Sequence, residues 1–538
     1  MTFRIPVLPI VAFTLAVLVS LPVISILFNM FQPDESGVWS HLAETVLGEY
    51  VFNSVMLAGG TAIGTAVLGT GAAWMVAMYR FPGRRVLEWA LLLPLAMPTY
   101  VIAYAYTDFF QFAGPVQSLL RETFDWTRSD YWFPEIRSLE GAIFLFSLVF
   151  YPYVYVLARA AFLERSGVLM EAARSLGLTQ REAFIRVALP LARPALAGGV
   201  ALVVMETLAE FGAVSYFGVP TFTTGIYRAW YAFGDPVAAS QLAASLLAVV
   251  ALALALERIS RRRARFDDAG GRPAHRATLK GWSAGLALGL CLLPLAGGFL
   301  LPAGLLLAMA LDGGDSQFGA KYLNLAGNSL TLAALASALA VSVALLLAYA
   351  GRAYPGRLMA GVKRLASLGY AVPGTVIAVG ALIPLTALDH ALIVWFREQF
   401  GMSLGLVITG SATALIFAYL ARFLAVALNA VESSLVRIRP SLDEAARSLG
   451  ASRSAVLTRV HVPLLSGGIV SGLLLVFVDV MKELPATIVL RPFNFETLAT
   501  QVYILAADER LSEAATPSLI IVAVGLIPVI LLSRTMRR

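Results

Sequence analysis

The chain has 538 residues, of which 59% are hydrophobic and only 14% charged, whereas soluble domains carry about 25% charged residues. This composition excludes an ordinary soluble enzyme, a disordered chain and a disulfide-stapled secreted scaffold, and predicts an all-α polytopic membrane protein. The net charge of +7 could signal nucleic acid, but the placement of the charges assigns it to membrane topology instead.

A helix needs about 20 apolar residues to cross the hydrocarbon. Twelve such runs are predicted, near 6–30, 52–78, 86–112, 139–163, 194–218, 237–257, 280–310, 326–350, 364–388, 402–428, 464–490 and 514–534. The first, Ile5 to Phe28, is too long for a signal-peptide core and reads as a retained membrane helix. The least regular runs are 86–112, which holds Pro94 and Pro98, and 464–490, which holds Asp479, Lys482 and Glu483. The outer loop near 113–138 mixes acids with Trp126, Tyr131 and Trp132. It reads equally as an interfacial aromatic cap or as a docking surface. The single cysteine, Cys291, sits in an apolar run and reads as a structural thiol. The four histidines are scattered and suggest no imidazole metal cage.

With the N-terminus inside, the alternating inner segments hold 31 of the 40 Lys and Arg residues. The positive-inside rule then places both termini in the cytoplasm of a multi-pass protein. It also explains the basic balance, including Arg261-Arg262-Arg263, without nucleic acid.

The chain repeats itself. Glu171-Ala172-Ala173-Arg174-Ser175-Leu176-Gly177 returns as Glu444-Ala445-Ala446-Arg447-Ser448-Leu449-Gly450, and Pro190 returns as Pro463, at an offset of 273. Asn53-Ser54 returns as Asn328-Ser329, and Ala96-Met97-Pro98 as Ala371-Val372-Pro373, at an offset of 275. The repeat implies two six-helix halves in the same orientation, a parallel duplication. We expect a first half over 1–257, a cytoplasmic linker over 258–280 and a second half over 281–538.

Each repeated heptapeptide opens a loop of about 30 residues that reads as a helix-turn-helix at the membrane surface. Gly177 is a helix stop, and Thr179 with Glu182 forms a capping box. The second copy has Ser452 but no acid at Ala455. The pattern E-A-A-x3-G-x9-I-x-L-P, with Val187 for Ile in the first copy and Val460-His461-Val462-Pro463 ending the second, resembles the cytoplasmic loop of importer-type ATP-binding-cassette permeases. The resemblance implies that each half grips one of two ATPase subunits. The contacts would run through Glu171, Ala172, Ala173, Gly177 and Pro190, and through Glu444, Ala445, Ala446, Gly450 and Pro463. The chain carries no G-x-x-x-x-G-K-[ST] phosphate loop. It is therefore expected to be a transport subunit without catalytic residues or a cofactor of its own, with Mg-ATP held by the partner ATPase. A separate periplasmic binding protein is implied as well.

Ionisable residues inside a span are costly and are functional candidates by default. Glu206 matches Asp479 and Glu210 matches Glu483 at offset 273, while Lys482 faces Ala209 in the comparison. These acids read either as members of interhelical salt bridges or as the lining of a cation path. Tyr100 and Tyr104, one helical turn apart, read either as aromatic-belt residues or as hard oxygen donors suited to a hard cation. No fixed metal site is predicted.

The stretches Gly218-Val219-Pro220-Thr221-Phe222-Thr223-Thr224-Gly225-Ile226-Tyr227 and Lys482-Glu483-Leu484-Pro485-Ala486-Thr487, with Leu490-Arg491-Pro492-Phe493-Asn494-Phe495-Glu496-Thr497-Leu498-Ala499, resemble the fused two-half permeases of ferric-iron importers. That resemblance implies a bacterial inner-membrane permease with ferric iron as cargo. Thiamine, phosphonate or polyamine import by the same architecture is the alternative. A proton-coupled secondary transporter would share the two parallel halves but not the coupling loops.

Overall fold

The computed structural model describes residues 7–262, 276–312, 320–402 and 405–536; within them, no side chain is described for residues 164–172, 174, 256–262, 320–321, 453–454 and 532–536. The fold is almost wholly helical. Twelve principal helices carry it: α1 (Val7–Asn29), α2 (Leu47–Met78), α3 (Thr99–Phe110), α4 (Leu139–Ser175), α5 (Leu189–Ala209), α6 (Pro236–Arg262), α7 (Trp282–Leu295), α8 (Ala320–Ala353), α9 (Gly374–Phe400), α10 (Ala412–Leu435), α11 (Ser466–Met481) and α12 (Leu511–Met536). Among the described residues, ten helices are long and apolar enough to cross a bilayer, or up to twelve if two bent pairs each count as one span.

The two irregular runs are the two bent pairs. Arg84–Ala96 meets Thr99–Phe124 at 92°, and Leu457–Leu464 meets Ser466–Met481 at 67°. The run near 86–112 is therefore no straight span. Pro94 lies in a 3-10 turn, Met97 is extended because a proline disfavours helical geometry in the residue before it, and Pro98 caps α3. The only strand pairing among the described residues is a two-residue parallel contact, Tyr79–Arg80 with Ala277–Thr278. It ties the end of the linker to the first half. The rest of that linker, 263–275, lies outside the described residues.

The chain divides into two compact units that exchange segments between the sequence halves. One comprises Met1–His41, Ile226–Ala244 and Gln317–Gln501; the other comprises Leu42–Gly225, Ser245–Ser316 and Val502–Arg538. In the first unit α1 lies against second-half helices: Ser20 Oγ donates to Leu365 O at 3.0 Å and Ser25 Oγ to Gly380 O at 2.6 Å. In the second unit the segment after α7 lies against first-half helices, with the Tyr106 hydroxyl donating to Gly297 O. Helices in lipid associate by close packing of small residues rather than by hydrophobic collapse. The α2–α4 contact shows this at Gly69, where an added Cβ would stand 2.8 Å from Tyr151 O and from Val154 Cβ.

The repeated Asn-Ser pair has a structural reason. Asn53 Nδ2 donates to Pro220 O at 2.9 Å, and Asn328 Nδ2 donates to Glu496 O at the same distance. Ser54 Oγ accepts from Phe222 N at 3.3 Å, and Ser329 Oγ from Leu498 N at 2.8 Å. Each pair thus clamps the start of a short helix, Phe222–Tyr231 or Leu498–Ala507.

Candidate functional site

The two repeated loops fold alike. In the first, α4 runs without a break from its membrane segment through Ser175, and Gly177 adopts φ +86°. Leu178 N then donates to Ala173 O at 3.1 Å. In the second, Gly450 adopts φ +82° and Ala451 N donates to Ala446 O at 3.0 Å. This left-handed C-terminal turn satisfies the last carbonyls of a helix and favours glycine. A short helix follows in each copy. Thr179 and Glu182 form the expected capping box, and Ser452 Oγ accepts from Ala455 N at 3.2 Å. The Thr179 backbone N–H and hydroxyl hold the exposed Glu182 carboxyl below the usual range. Each loop then enters a π-turn, Phe184–Ala188 and Leu457–His461, ahead of Pro190 and Pro463.

Of the residues expected to couple, the side chains of Glu171 and Ala172 lie outside the described residues, although their backbone is helical. Ala173 is buried, Pro190 is half-buried, Ala446 is intermediate, and Glu444, Ala445, Gly450 and Pro463 are exposed. The reading of the sequence passed over Leu176 and Leu449, which are 84% and 89% exposed at matching positions. Their presence inside the repeated heptapeptide was the available signal.

The second loop has an anchor whose residues are not repeated at the equivalent first-half positions. Asp443, in the short helix Pro440–Ser448, accepts from Arg352 Nε at 2.7 Å and from His461 Nε2 at 2.7 Å. Arg352 Nη1 also donates to Leu435 O at 3.0 Å. Burial works to raise the Asp443 pKa, but the hydrogen bonds and charges of Arg352 and His461 prevail and hold it below the ordinary value. At offset 273 the equivalents of these three residues are Tyr79, Met170 and Ala188.

The membrane acids fall into two environments. Glu210 ends α5 and accepts from Ala213 N at 3.0 Å, while Thr223 Oγ1 donates to its carbonyl at 2.6 Å. Glu483 makes the matching contact with Ala486 N at 3.1 Å. It also accepts from Arg422 Nη1 at 2.7 Å and is 6% exposed. Asp479 pairs with Lys482 at 3.1 Å, and Glu206 is half-exposed on α5. Tyr100 and Tyr104 are buried with ring centroids 5.9 Å apart. Tyr216 lies edge-on to Tyr104 at 4.5 Å, and Tyr503 shares a 3.0 Å hydroxyl contact with Ser215. Tyr216 and Tyr503 were not singled out from the sequence because they sit far from Tyr100 in the chain. Among the described residues, no three His, Cys, Asp or Glu side chains converge as a metal cage.

A family described as the inner membrane component of binding-protein-dependent transport systems matches residues 66–266 and 336–538, once in each half. The chain belongs to that family. It is therefore a multi-pass inner-membrane component built from two copies of one permease domain. The chain is also similar to the "Fe(3+)-transport system permease protein FbpB 2" of Haemophilus influenzae, 26% identical over 97% of both chains. Partial relatives include the sulfate transport system permease protein CysT of Salmonella typhimurium, 29% identical over 36% of this chain and 68% of that protein. The molybdenum transport system permease protein ModB of Escherichia coli is 31% identical over 36% of this chain and 85% of its own.

Proposed function

We propose that this permease forms both transmembrane halves of an ATP-binding-cassette importer that passes ferric iron into the cytoplasm. The observation that carries the cargo is the end-to-end likeness to an Fe(3+)-transport permease, spanning 97% of each chain. The sulfate and molybdenum relatives match only 36% of this chain. An oxyanion cargo is the second reading that those relatives favour. Against it stand Glu509, within electrostatic reach of Tyr216, and Glu210, within reach of Tyr104, since fixed negative charge repels an anion at close range.

Energy comes from separate ATPase subunits seated on residues 171–190 and 444–463, with the exposed Leu176 and Leu449 as apolar contacts. Substrate arrives on a separate periplasmic binding protein. Both termini lie in the cytoplasm, as the distribution of Lys and Arg favours. Bound Mg-ATP belongs to the ATPase partner. A pathway for ions must bind weakly enough to release, so a permanent iron cage is not required.

The test is uptake of labelled Fe³⁺, sulfate, molybdate and thiamine in cells with and without this chain. Loss of iron uptake alone supports the proposal. Loss of sulfate or molybdate uptake with iron unaffected rejects the cargo and keeps the permease.

A further inference from the structure

The two pseudo-equivalent glutamates are not chemically equivalent. Glu483 is neutralised by Arg422. At the position of Arg422 the first half has Val149, and Glu210 lies within electrostatic reach of the Tyr104 phenol. Tyr104 is within electrostatic reach of Glu210, Tyr216 and Tyr503. Its hydroxyl is buried and makes no hydrogen bond among the described residues, in a side chain only 3% exposed. Tyr503 and Tyr216 are half-exposed. Arg137 lies 5.1 Å over the Tyr216 ring and donates to Tyr216 O at 3.0 Å. Asp108 and Glu509 are the other charges within reach of Tyr216. At the corresponding second-half positions stand Thr375, Val379 and Val489 in place of Tyr100, Tyr104 and Tyr216. The tyrosine cluster is therefore not repeated in the second half, where Tyr419 lies within electrostatic reach of Glu483 but its hydroxyl is already engaged by Thr487 at 2.6 Å.

We propose that Glu210, Tyr104, Tyr216 and Tyr503 form a single, one-sided binding station for a hard trivalent cation, while Glu483 serves only as a structural cap. Carboxylate and phenolate oxygens match such an ion, and thiolate or imidazole donors are missing from the cluster. A phenol that coordinates the ion releases its proton to water. A buried hydroxyl without a partner costs free energy, and a ligand recovers it. The proposal rests on the cation-import reading above and names where the cation pauses.

The test uses the purified full-length chain in lipid nanodiscs, titrated with ferric citrate, reading the visible phenolate-to-iron charge-transfer absorption. The wild type is expected to develop the band. Tyr104→Phe, Tyr503→Phe and Glu210→Gln are each expected to bind about tenfold more weakly or lose it. Tyr231→Phe, which alters a phenol in the other compact unit, keeps it. Glu210→Gln retains a carbonyl oxygen for Ala213 N, and Tyr104→Phe removes no hydrogen bond, so both variants should fold; size-exclusion profiles check this. No band in the wild type, or a band of full strength in all three variants, overturns the station. If labelled iron still enters cells through the wild-type chain in either case, the proposed function stands and only the station falls. Absence of iron uptake by the wild-type chain rejects the function itself.

Discussion

Lys363 Nζ lies 2.6 Å from Glu432, and this ion pair is the charge-reversed image of the first-half pair between Glu88 and Arg159. Residues 88 and 363 are related by the offset of the Ala96-Met97-Pro98 repeat, and 159 and 432 by that of the heptapeptide. The pairs tie α4 to the short helix Arg84–Ala90 and α10 to the short helix Arg357–Ala366. The second pair is about one-third exposed, so its net worth is on the order of 0.5–1 kcal/mol. Lys363→Glu alone should lower the melting temperature in nanodiscs, and Lys363→Glu with Glu432→Arg should restore most of the loss. An additive double mutant would refute the pairing.

Arg422→Met with Glu483→Leu tests the structural role of the second glutamate. Removing only the acid leaves a mostly buried guanidinium unpaired, at a cost of about 3–5 kcal/mol, whereas replacing both partners with apolar groups is often close to neutral. Glu483→Leu alone should therefore express poorly and the double variant should recover. Equal loss in both would show that Glu483 does more than balance Arg422.

The Arg352–Asp443–His461 anchor carries a pH signature. A carboxylate whose pKa is depressed on folding contributes stability above its unfolded value, and that contribution is lost as pH falls through the lower folded value. The second loop should therefore stay anchored from neutral pH down to about pH 4 and loosen only below it. Proteolysis at Pro440–Gly450 across a pH series checks this. Asp443→Asn should abolish the acid-dependent step and leave the loop sensitive at neutral pH.

Gly177 and Gly450 require left-handed backbone, but an added Cβ at either meets no atom within 4 Å. Alanine should therefore cost only about 1 kcal/mol each, with membrane levels preserved. Proline cannot adopt positive φ, so Gly177→Pro with Gly450→Pro should abolish ATP-driven uptake while the protein still reaches the membrane. Normal uptake in that double variant would contradict the coupling assignment.

The duplicated architecture was legible because identity persisted where backbone geometry demands particular residues: the left-handed glycines, the Asn-Ser clamps and the proline caps. The capping box at Thr179 was legible for the same local reason. The charge-reversed ion pair was invisible to a search for identical residues, since a pair tolerates exchange of its signs. The Arg422–Glu483 contact was missed because the partner lies 61 residues away, while the neighbouring Lys482 pairs with Asp479. The exchange of α1 and α7 between compact units was also hidden, because hydropathy gives spans but not neighbours. Tyr216 and Tyr503 join Tyr104 only through tertiary structure.

The most direct test of the account is transport by this permease reconstituted in proteoliposomes with its ATPase and binding protein, loaded in turn with Fe³⁺, sulfate and molybdate. ATP-dependent accumulation of iron alone, lost in Gly177→Pro with Gly450→Pro, is the predicted result. Accumulation of an oxyanion without iron would contradict it.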